Sequence, residues 1–443
     1  MPVAASIRHP PGFTMEVLML SRALRILPLL PVLLAAQTAT DPVAAARKAT
    51  DLLLSEKYAD LIRMFTPDMQ KALPESTLTK LGAQIKTFGG VKSIEEPQGR
   101  KMGANTVVVV PVKFASQNVN YQWAVNAAGL IASMVSLPGP VDWQRPDYSK
   151  PDSFKERDVT VGEGEWKLPG TLAVPNGAGP FPAIVLVHGT GPNDRDESVG
   201  AVKVFKDLAE GLATRGIVVL RYENRPKHYT AKLAGNAKMT VAEESVDDAV
   251  AAAALLRKQP EVDPKRVYLL GHDLGGYLAP RIAEEDGKLA GVVILAGNAR
   301  PLEDVIVDQA EYLGVKDQQL DSIKAMQAKV KKLEVGDEDA PPVMGKPISY
   351  WVDLRGYNPA EKAKTLGLPM LILQGERDFQ VNLKDFALWK AAVGSGKGVV
   401  MKSFPPANHL FVAGEGKSTT AEYGKPGHVM PDVLSEIAKF VNP

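Results

Sequence analysis

The chain has 443 residues, of which 45% are apolar and 23% charged, with 52 Lys+Arg against 51 Asp+Glu and no cysteine. That ordinary globular composition excludes wholesale disorder, collagen and a multi-span membrane protein, and a net charge of +1 leaves no electrostatic footprint for nucleic acid. Without cysteine there are no disulfides, zinc–thiolate sites, iron–sulfur clusters or thiol catalysis, and at roughly 150 residues per domain the length allows two or three domains.

In chain order, the first signal is Arg22 and Arg25 followed by the apolar run Ile26 to Ala36. The run is about 11 residues, short of the ~20 that a spanning helix needs. Positive charge, a short apolar stretch and then small residues is the layout of a secretory leader. Residues 1–38 are therefore expected to direct export, to the periplasm or outside the cell, with cleavage between Ala36 and Ala39 and no membrane span afterwards. Met15 and Met19 are alternative starts.

Residues 42–137 read as a small α+β module. Leu52, Leu53, Leu54, Tyr58, Leu61, Ile62 and Phe65 recur at roughly helical spacing. Thr106 to Phe114 is dense in valine and predicts a strand, with Asn118 to Val125 and Leu130 to Val135 as further strands. Residues 138–151 hold Pro138, Pro140, Pro146 and Pro151, a density that favours an extended linker.

From 152 to 443 strand and helix alternate. Arg157 to Val161 and Gly170 to Val174 predict an antiparallel pair. Ala183 to Val187, Ile217 to Arg221, Val267 to Leu270, Val292 to Ala296, Met370 to Leu373 and Val399 to Ser403 are short apolar runs suited to parallel strands buried on both faces. Thr240 and Glu243 form a capping-box pattern opening a helix that ends near Lys258, and Val433, Leu434, Ile437, Phe440 and Val441 mark an amphipathic C-terminal helix. The alternation predicts a doubly wound, mostly parallel α/β sheet. Residues 300–368 interrupt it without an evident strand, with Asp308 to Leu333 expected to be helical, and read as a lid over the strand C-termini. Its aromatic residues Tyr312, Tyr350 and Trp351 are candidate substrate contacts.

The sharpest motif is Leu269-Leu270-Gly271-His272-Asp273-Leu274-Gly275-Gly276, which follows a strand and opens a helix. It has the frame of the nucleophile elbow G-x-S-x-G, with Asp where Ser is usual. Glycines are needed because side chains at 271 and 275 would clash in so tight a turn. Residue 273 is presented beside a helix N-terminus, which favours an anion.

With Val187 to Glu197, Leu220 to Arg225, Gln374 to Val381 and Asn408 to Phe411, these blocks make residues 157 onward resemble an α/β-hydrolase. The closer resemblance is to exported bacterial esterase-type hydrolases carrying an N-terminal DUF3887-like module, whose start resembles the Tyr58-Ala59-Asp60-Leu61 region. By position, the resemblance implies Asp273 as nucleophile, His409 as base and Asp378 as the acid that orients it. It implies an oxyanion hole from the Leu274 backbone N–H and one from Gly189 or Thr190. His188 reads as structural, His272 flanks the nucleophile, His9 lies in the leader, and His228 and His428 have no motif context. Asp194, Asp196 and Glu197 read as a solvated loop paired with Arg195 rather than as a metal site. No phosphate loop or dinucleotide fingerprint appears, so neither a cofactor nor a metal is expected, and the partner is a small-molecule substrate.

Asp273 also matches the Gly-His-Asp-x-Gly of epoxide hydrolases and haloalkane dehalogenases. A carboxylate attacks saturated carbon to give an alkyl-enzyme ester, whereas attack on an ester carbonyl gives an acid anhydride. Three readings follow: an ester hydrolase acting through Asp273, His409 and Asp378, an epoxide or haloalkane hydrolase using the same residues, and a catalytically silent binding protein whose nucleophile was replaced. The sequence leaves the oligomeric state open.

Overall fold

The computed structural model describes residues 41–139, 143–233, 236 and 238–443. The leader expected over residues 1–38 lies outside them. The chain divides into two compact units, Met1–Val141 and Asp142–Pro443.

In the first unit, helices α1 (Pro42–Leu54), α2 (Tyr58–Arg63), α3 (Pro67–Ala72) and α4 (Glu75–Lys86) precede strands β1 (Val91–Ile94), β2 (Gln98–Met102), β3 (Asn105–Phe114), β4 (Asn118–Val125) and β5 (Ile131–Pro138). The sheet is antiparallel in the order β1-β3-β4-β5, with β2 also paired to β3. Alternation sets its inner face: Val108, Val110, Val112 and Phe114 of β3 and Val119, Tyr121, Trp123 and Val125 of β4 are buried. Against them α1 buries Ala45, Ala46, Ala49 and Leu53. Strands β1 and β2 were not legible in the sequence. Every residue of β2 is exposed, so no core demand left an apolar pattern there.

The second unit is an eight-stranded sheet. Its strands are β6 (Phe154–Val161), β7 (Leu168–Pro175), β8 (Phe181–Val187), β9 (Val218–Tyr222), β10 (Val262–His272), β11 (Gly291–Leu295), β12 (Met370–Gly375) and β13 (Val399–Phe404). The spatial order is β13-β12-β11-β10-β8-β9-β7-β6. Strands β8 to β13 run parallel, and β7 pairs antiparallel with both β9 and β6. This is the doubly wound, mostly parallel sheet that the alternation predicted. Helices α5 (Val204–Ala213), α6 (Asp247–Arg257), α7 (Leu274–Asp286), α8 (Leu302–Tyr312), α9 (Asp317–Val330), α10 (Ile348–Arg355), α11 (Pro359–Leu366), α12 (Leu383–Val393) and α13 (Pro431–Val441) complete it. Val185, Leu269, Val292 and Ile372 pack in one core with residues of α6 and α7, while Leu186, Leu270, Val293 and Leu371 pack in another with α5 and α13. Both faces of the central strands are thus covered, which is why those strands read as unbroken apolar runs.

Three expectations are corrected in detail. The helix expected over Asp308 to Leu333 is two helices, because α8 ends at Tyr312 and Gly314 adopts φ +80°. The capping box does form, with the Thr240 N–H donating to Glu243 Oε2 at 3.0 Å, but the following turn Ala242–Val246 is π-helical before α6 begins. The proline-rich segment is not a free linker beyond residue 142. Trp143 Nε1 donates to Asp207 at 2.7 Å, Arg145 Nε and Ser149 Oγ each donate to Glu210 at 2.6 Å, and the Lys150 N–H donates to Thr214 at 3.0 Å. Both carboxylates are buried on α5. Burial works against the Glu210 charge, yet Arg145 and Ser149 bring its carboxyl below the ordinary value. A buried carboxylate needs such donors, so these residues strap onto α5.

In the first unit, Trp123 Nε1 donates to Thr50 Oγ1 at 2.8 Å, and that hydroxyl donates to the Ala46 carbonyl at 3.0 Å. Both side chains are fully buried. Replacing Thr50 with the isosteric valine leaves the indole N–H without a partner, and should cost about 1–3 kcal/mol of stability. Urea denaturation of T50V against the parent chain checks this; an unchanged midpoint would show the bond to be dispensable.

Candidate functional site

Strand β10 ends at His272 and α7 begins at Leu274, so Asp273 alone makes the turn, at φ +51° and ψ −117°. Non-glycine residues rarely hold such a conformation unless the surroundings over-determine it. They do: the Asp273 N–H donates to the Leu295 carbonyl at 3.1 Å, and its own carbonyl accepts from the Tyr277 N–H at 3.0 Å. The flanking glycines are a steric requirement. A Cβ on Gly271 would lie 2.1 Å from the Gly275 carbonyl oxygen, and one on Gly275 would lie 2.2 Å from that of Val187.

The carboxylate that this turn presents is partly exposed, and its Oδ2 accepts the Thr190 N–H at 2.9 Å. The Leu274 N–H, at the start of α7, helps hold the carboxyl below its ordinary value. Gly189 passes so close that a Cβ there would come within 2.8 Å of Oδ2. Burial disfavours the Asp273 charge, but His409, the Thr190 N–H, His272 and the Leu274 N–H outweigh it and hold the carboxyl below its ordinary value. Of the two amides weighed as partners of Leu274, Thr190 faces the carboxylate. The Gly189 N–H is committed elsewhere, donating to Glu197 Oε1 at 2.7 Å.

His409 lies on the loop after β13, and its Nδ1 is 2.8 Å from Asp378 Oδ2. A carboxylate only accepts, so Nδ1 carries the hydrogen and Nε2 is left as the basic nitrogen. Asp378 follows β12 and is itself fixed: Oδ1 accepts the N–H groups of Gln380 at 2.8 Å and Val381 at 2.9 Å, and Oδ2 also accepts Gln374 Nε2 at 3.1 Å. Asn408 holds the histidine loop, its Oδ1 accepting the Leu410 and Val412 N–H groups at 3.0 and 3.1 Å. Asp273, His409 and Asp378, far apart in sequence, therefore meet at one end of the sheet.

A second histidine–carboxylate pair sits behind them. His272 Nδ1 is 2.9 Å from Glu197 Oε2, and its Nε2 is 3.0 Å from the His409 carbonyl oxygen. His272 and Glu197 are each 2% exposed. This corrects the reading of Asp194, Asp196 and Glu197 as a solvated loop. Asp196 pairs with Arg221 and Lys203, and Arg195 pairs with Asp158 and Glu223 instead of the acidic trio. Glu197 was missed because sequence alone does not reveal which acid of a polar run turns inward. Gln374 and Asn408 were quoted within motifs but given no role. His188 is buried, with Nε2 3.1 Å from the Asp194 carbonyl oxygen, and burial lowers its pKa.

Of the lid aromatics, Tyr350 is fully buried and its hydroxyl has no hydrogen-bond partner among the described residues. Burial, then the charges of Glu244 and Asp273, push that phenol well above its ordinary value. Trp351 Nε1 donates to the Val343 carbonyl at 2.9 Å, so its N–H is engaged within the lid. Tyr312 is half-buried and stacks on Phe379, with ring centres 5.4 Å apart.

The chemistry on offer is a carboxylate with one oxygen bound by a backbone amide, a histidine with a free basic nitrogen, and an acid that holds that histidine. The pair behind it is pH-sensitive. Burial alone would lower the His272 pKa, but Glu197, Asp273 and the His409 carbonyl push it up to about 9, from an ordinary 6.5. A histidine raised in the folded state contributes stability that is complete below about 6.5 and is lost as pH rises through about 9. The thermal midpoint should therefore fall between pH 7 and pH 10 by more in the parent chain than in H272Q. Parallel curves for the two would refute the ion pair.

A model of the alpha/beta hydrolase family matches residues 184–416, and one of a protein family of unknown function, DUF3887, matches residues 46–134. The chain is 37% identical over 397 residues to esterase EstD of Thermotoga maritima, covering 88% of this chain and 92% of that protein. It is 25% identical over 264 residues to acyl-coenzyme A thioesterase 1 of Mus musculus, covering 56% of this chain and 55% of that one. Among solved structures, an esterase of Pyrococcus furiosus aligns at a TM-score of 0.44 and 17% identity, over 69% of this chain and 96% of that chain.

Proposed function

We propose that this chain, which belongs to the α/β-hydrolase family, hydrolyses a small-molecule ester or ester-like substrate through Asp273, His409 and Asp378, with Asp273 as the nucleophile. That it is an esterase-like hydrolase rests on the family and on its esterase relative, which also argue against the silent binding protein. The observation that carries the finer reading is the Thr190 N–H on Asp273 Oδ2 at 2.9 Å. One oxygen of the nucleophile fills the hole that would otherwise receive a substrate carbonyl oxygen. Attack on an acyl carbon would then develop an oxyanion without its donors, each worth about 3 kcal/mol, and would end in an anhydride. Attack by Oδ1 on a saturated carbon needs no oxyanion at all.

The reaction follows in two steps. Asp273 Oδ1 displaces the carboxylate of the ester from its alkyl carbon: a carbon–oxygen bond forms to Asp273, the alkyl–oxygen bond breaks, and the acid leaves with the electron pair. His409 Nε2 then takes a proton from water, and the hydroxide adds to Asp273 Cγ. The tetrahedral charge now develops on Oδ2, already facing the Thr190 N–H. Collapse expels the alkoxide, which recovers the proton from His409, and the Asp273 carboxylic acid, holding one oxygen from water, loses its proton to solvent to regenerate the aspartate. Asp378 orients His409 and stabilises its charged form. An epoxide or a haloalkane enters the same first step with a different leaving group; the likeness to an esterase supports the ester reading over these.

Many turnovers of short-chain alkyl esters in oxygen-18 water test this. Label should appear in the elbow peptide containing Asp273 and in the released alcohol, and be absent from the acid. Label in the acid with an unlabelled Asp273 would overturn the proposal in favour of acyl–oxygen cleavage.

Export is part of the proposal. No described helix is long and apolar enough to cross a membrane, and the basic and apolar residues 22–36 support a cleaved leader. The mature protein recovered after expression in a bacterial host should begin between Ala36 and Ala39 by intact-mass measurement. A chain that still starts at Met1, Met15 or Met19 would rule the leader out.

A further inference from the structure

We infer that Glu197 is a positioning residue of this site, whose one carboxylate sets the oxyanion loop and keeps His272 as an imidazolium that balances Asp273. The inference rests on the proposed hydrolysis through Asp273 for its kinetic consequences, and on geometry for the charge state.

The charge follows from donor and acceptor chemistry. His272 Nδ1 faces Glu197 Oε2 at 2.9 Å and Nε2 faces the His409 carbonyl oxygen at 3.0 Å. A carboxylate and a carbonyl can only accept, so both ring nitrogens must carry hydrogen. A neutral ring would set a nitrogen lone pair against an oxygen lone pair in a buried place, at the full cost of an unmet polar contact. The groups that face His272 are Glu197 from the loop before α5, His188 from the loop after β8, its neighbour Asp273, and His409 from the loop after β13. Glu197 and Asp273 bring two negative charges to this place, and the His272 cation offsets one of them. The upward shift of the His272 pKa agrees with this charge.

Glu197 also decides which amide meets the reaction. Gly189 and Thr190 offer consecutive N–H groups. Glu197 Oε1 takes the first at 2.7 Å, and the second is left to donate to Asp273 Oδ2 at 2.9 Å. The backbone at Glu197 is held at φ +46°, a left-handed conformation unusual for a non-glycine residue, and its N–H donates to the Asp194 carbonyl at 2.9 Å. Strain of this kind persists where the surroundings demand a particular aim. Through Gly189, His272 and the His409 carbonyl, one carboxylate ties together the oxyanion loop, the elbow and the histidine loop. It touches no reacting atom, so its loss should be felt in turnover more than in binding.

The test joins histidine nitrogen-15 NMR of the full chain with steady-state kinetics on E197Q and E197D. In the parent chain at pH 7.5, both ring nitrogens of His272, assigned by their loss in H272Q, should carry protons. In E197Q one should be bare. Kinetically, E197Q should lower kcat at least tenfold with KM changed less than about twofold, and should move the alkaline limb of the kcat profile down by a pH unit or more. E197D should recover part of both. A singly protonated His272 ring in the parent chain, or an alkaline limb unmoved in E197Q, would overturn the inference. The NMR measurement on the parent chain needs no substrate, and H272Q serves only to assign its signals. If oxygen-18 fails to enter Asp273 while the ring is doubly protonated, the nucleophile falls and the charge pair stands.

Discussion

The site depends on a steric constraint between backbones. Strand β10 must turn into α7 within a single residue, and it does so against the carbonyls of Val187 and Gly275, with no room for a Cβ at 271 or 275. That contact holds Asp273 at positive φ and aims its side chain out of the sheet beside a helix N-terminus. The same crowding brings the loop after β8 against the elbow, so that the Thr190 N–H reaches the carboxylate. The Asp273 carboxylate and the amide that meets it are therefore set by one packing event. A methyl group in either glycine would disturb both together.

Charge is the second constraint. Asp273, which is partly exposed, meets the buried groups Asp378, Glu197, His272 and His409. Isolated buried carboxylates are expensive, and each of these has donors: an amide on Asp273, amides and Gln374 on Asp378, an amide and His272 on Glu197. An aspartate in place of the usual serine adds one more negative charge to this end of the sheet. A protonated His272 one residue away is the compensation that the fold provides. The substitution also changes the chemistry proposed here, because a carboxylate that fills its own oxyanion hole is suited to displacement at saturated carbon and ill-suited to attack on a carbonyl.

The limits of legibility show in particular residues. Strands buried on both faces, such as β8 and β11, announce themselves as apolar runs because every position faces a core. Strand β2, exposed throughout, carries no such record. The prolines of 138–151 forecast an extended path, but they say nothing about Trp143, Arg145 and Ser149 reaching the buried acids of α5. In the lid, helical periodicity ran across Gly314, where a single residue at φ +80° ends one helix before another begins.

Short-range chemistry was settled by the sequence alone. The glycine spacing of the elbow and the alternation of strand and helix follow from local sterics and periodicity, which depend on near neighbours. What only the tertiary structure decided is which distant groups share a hydrogen bond. Glu197 sits 75 residues from His272 along the chain, in a run of acids that look alike on paper. Thr190 and Gly189 offer equivalent amides until Glu197 claims one of them. Hydrogen bonds are directional and reach about 3 Å, so partners of this kind are chosen by the packing of the sheet, helices and loops, and leave no spacing in the sequence from which to read them.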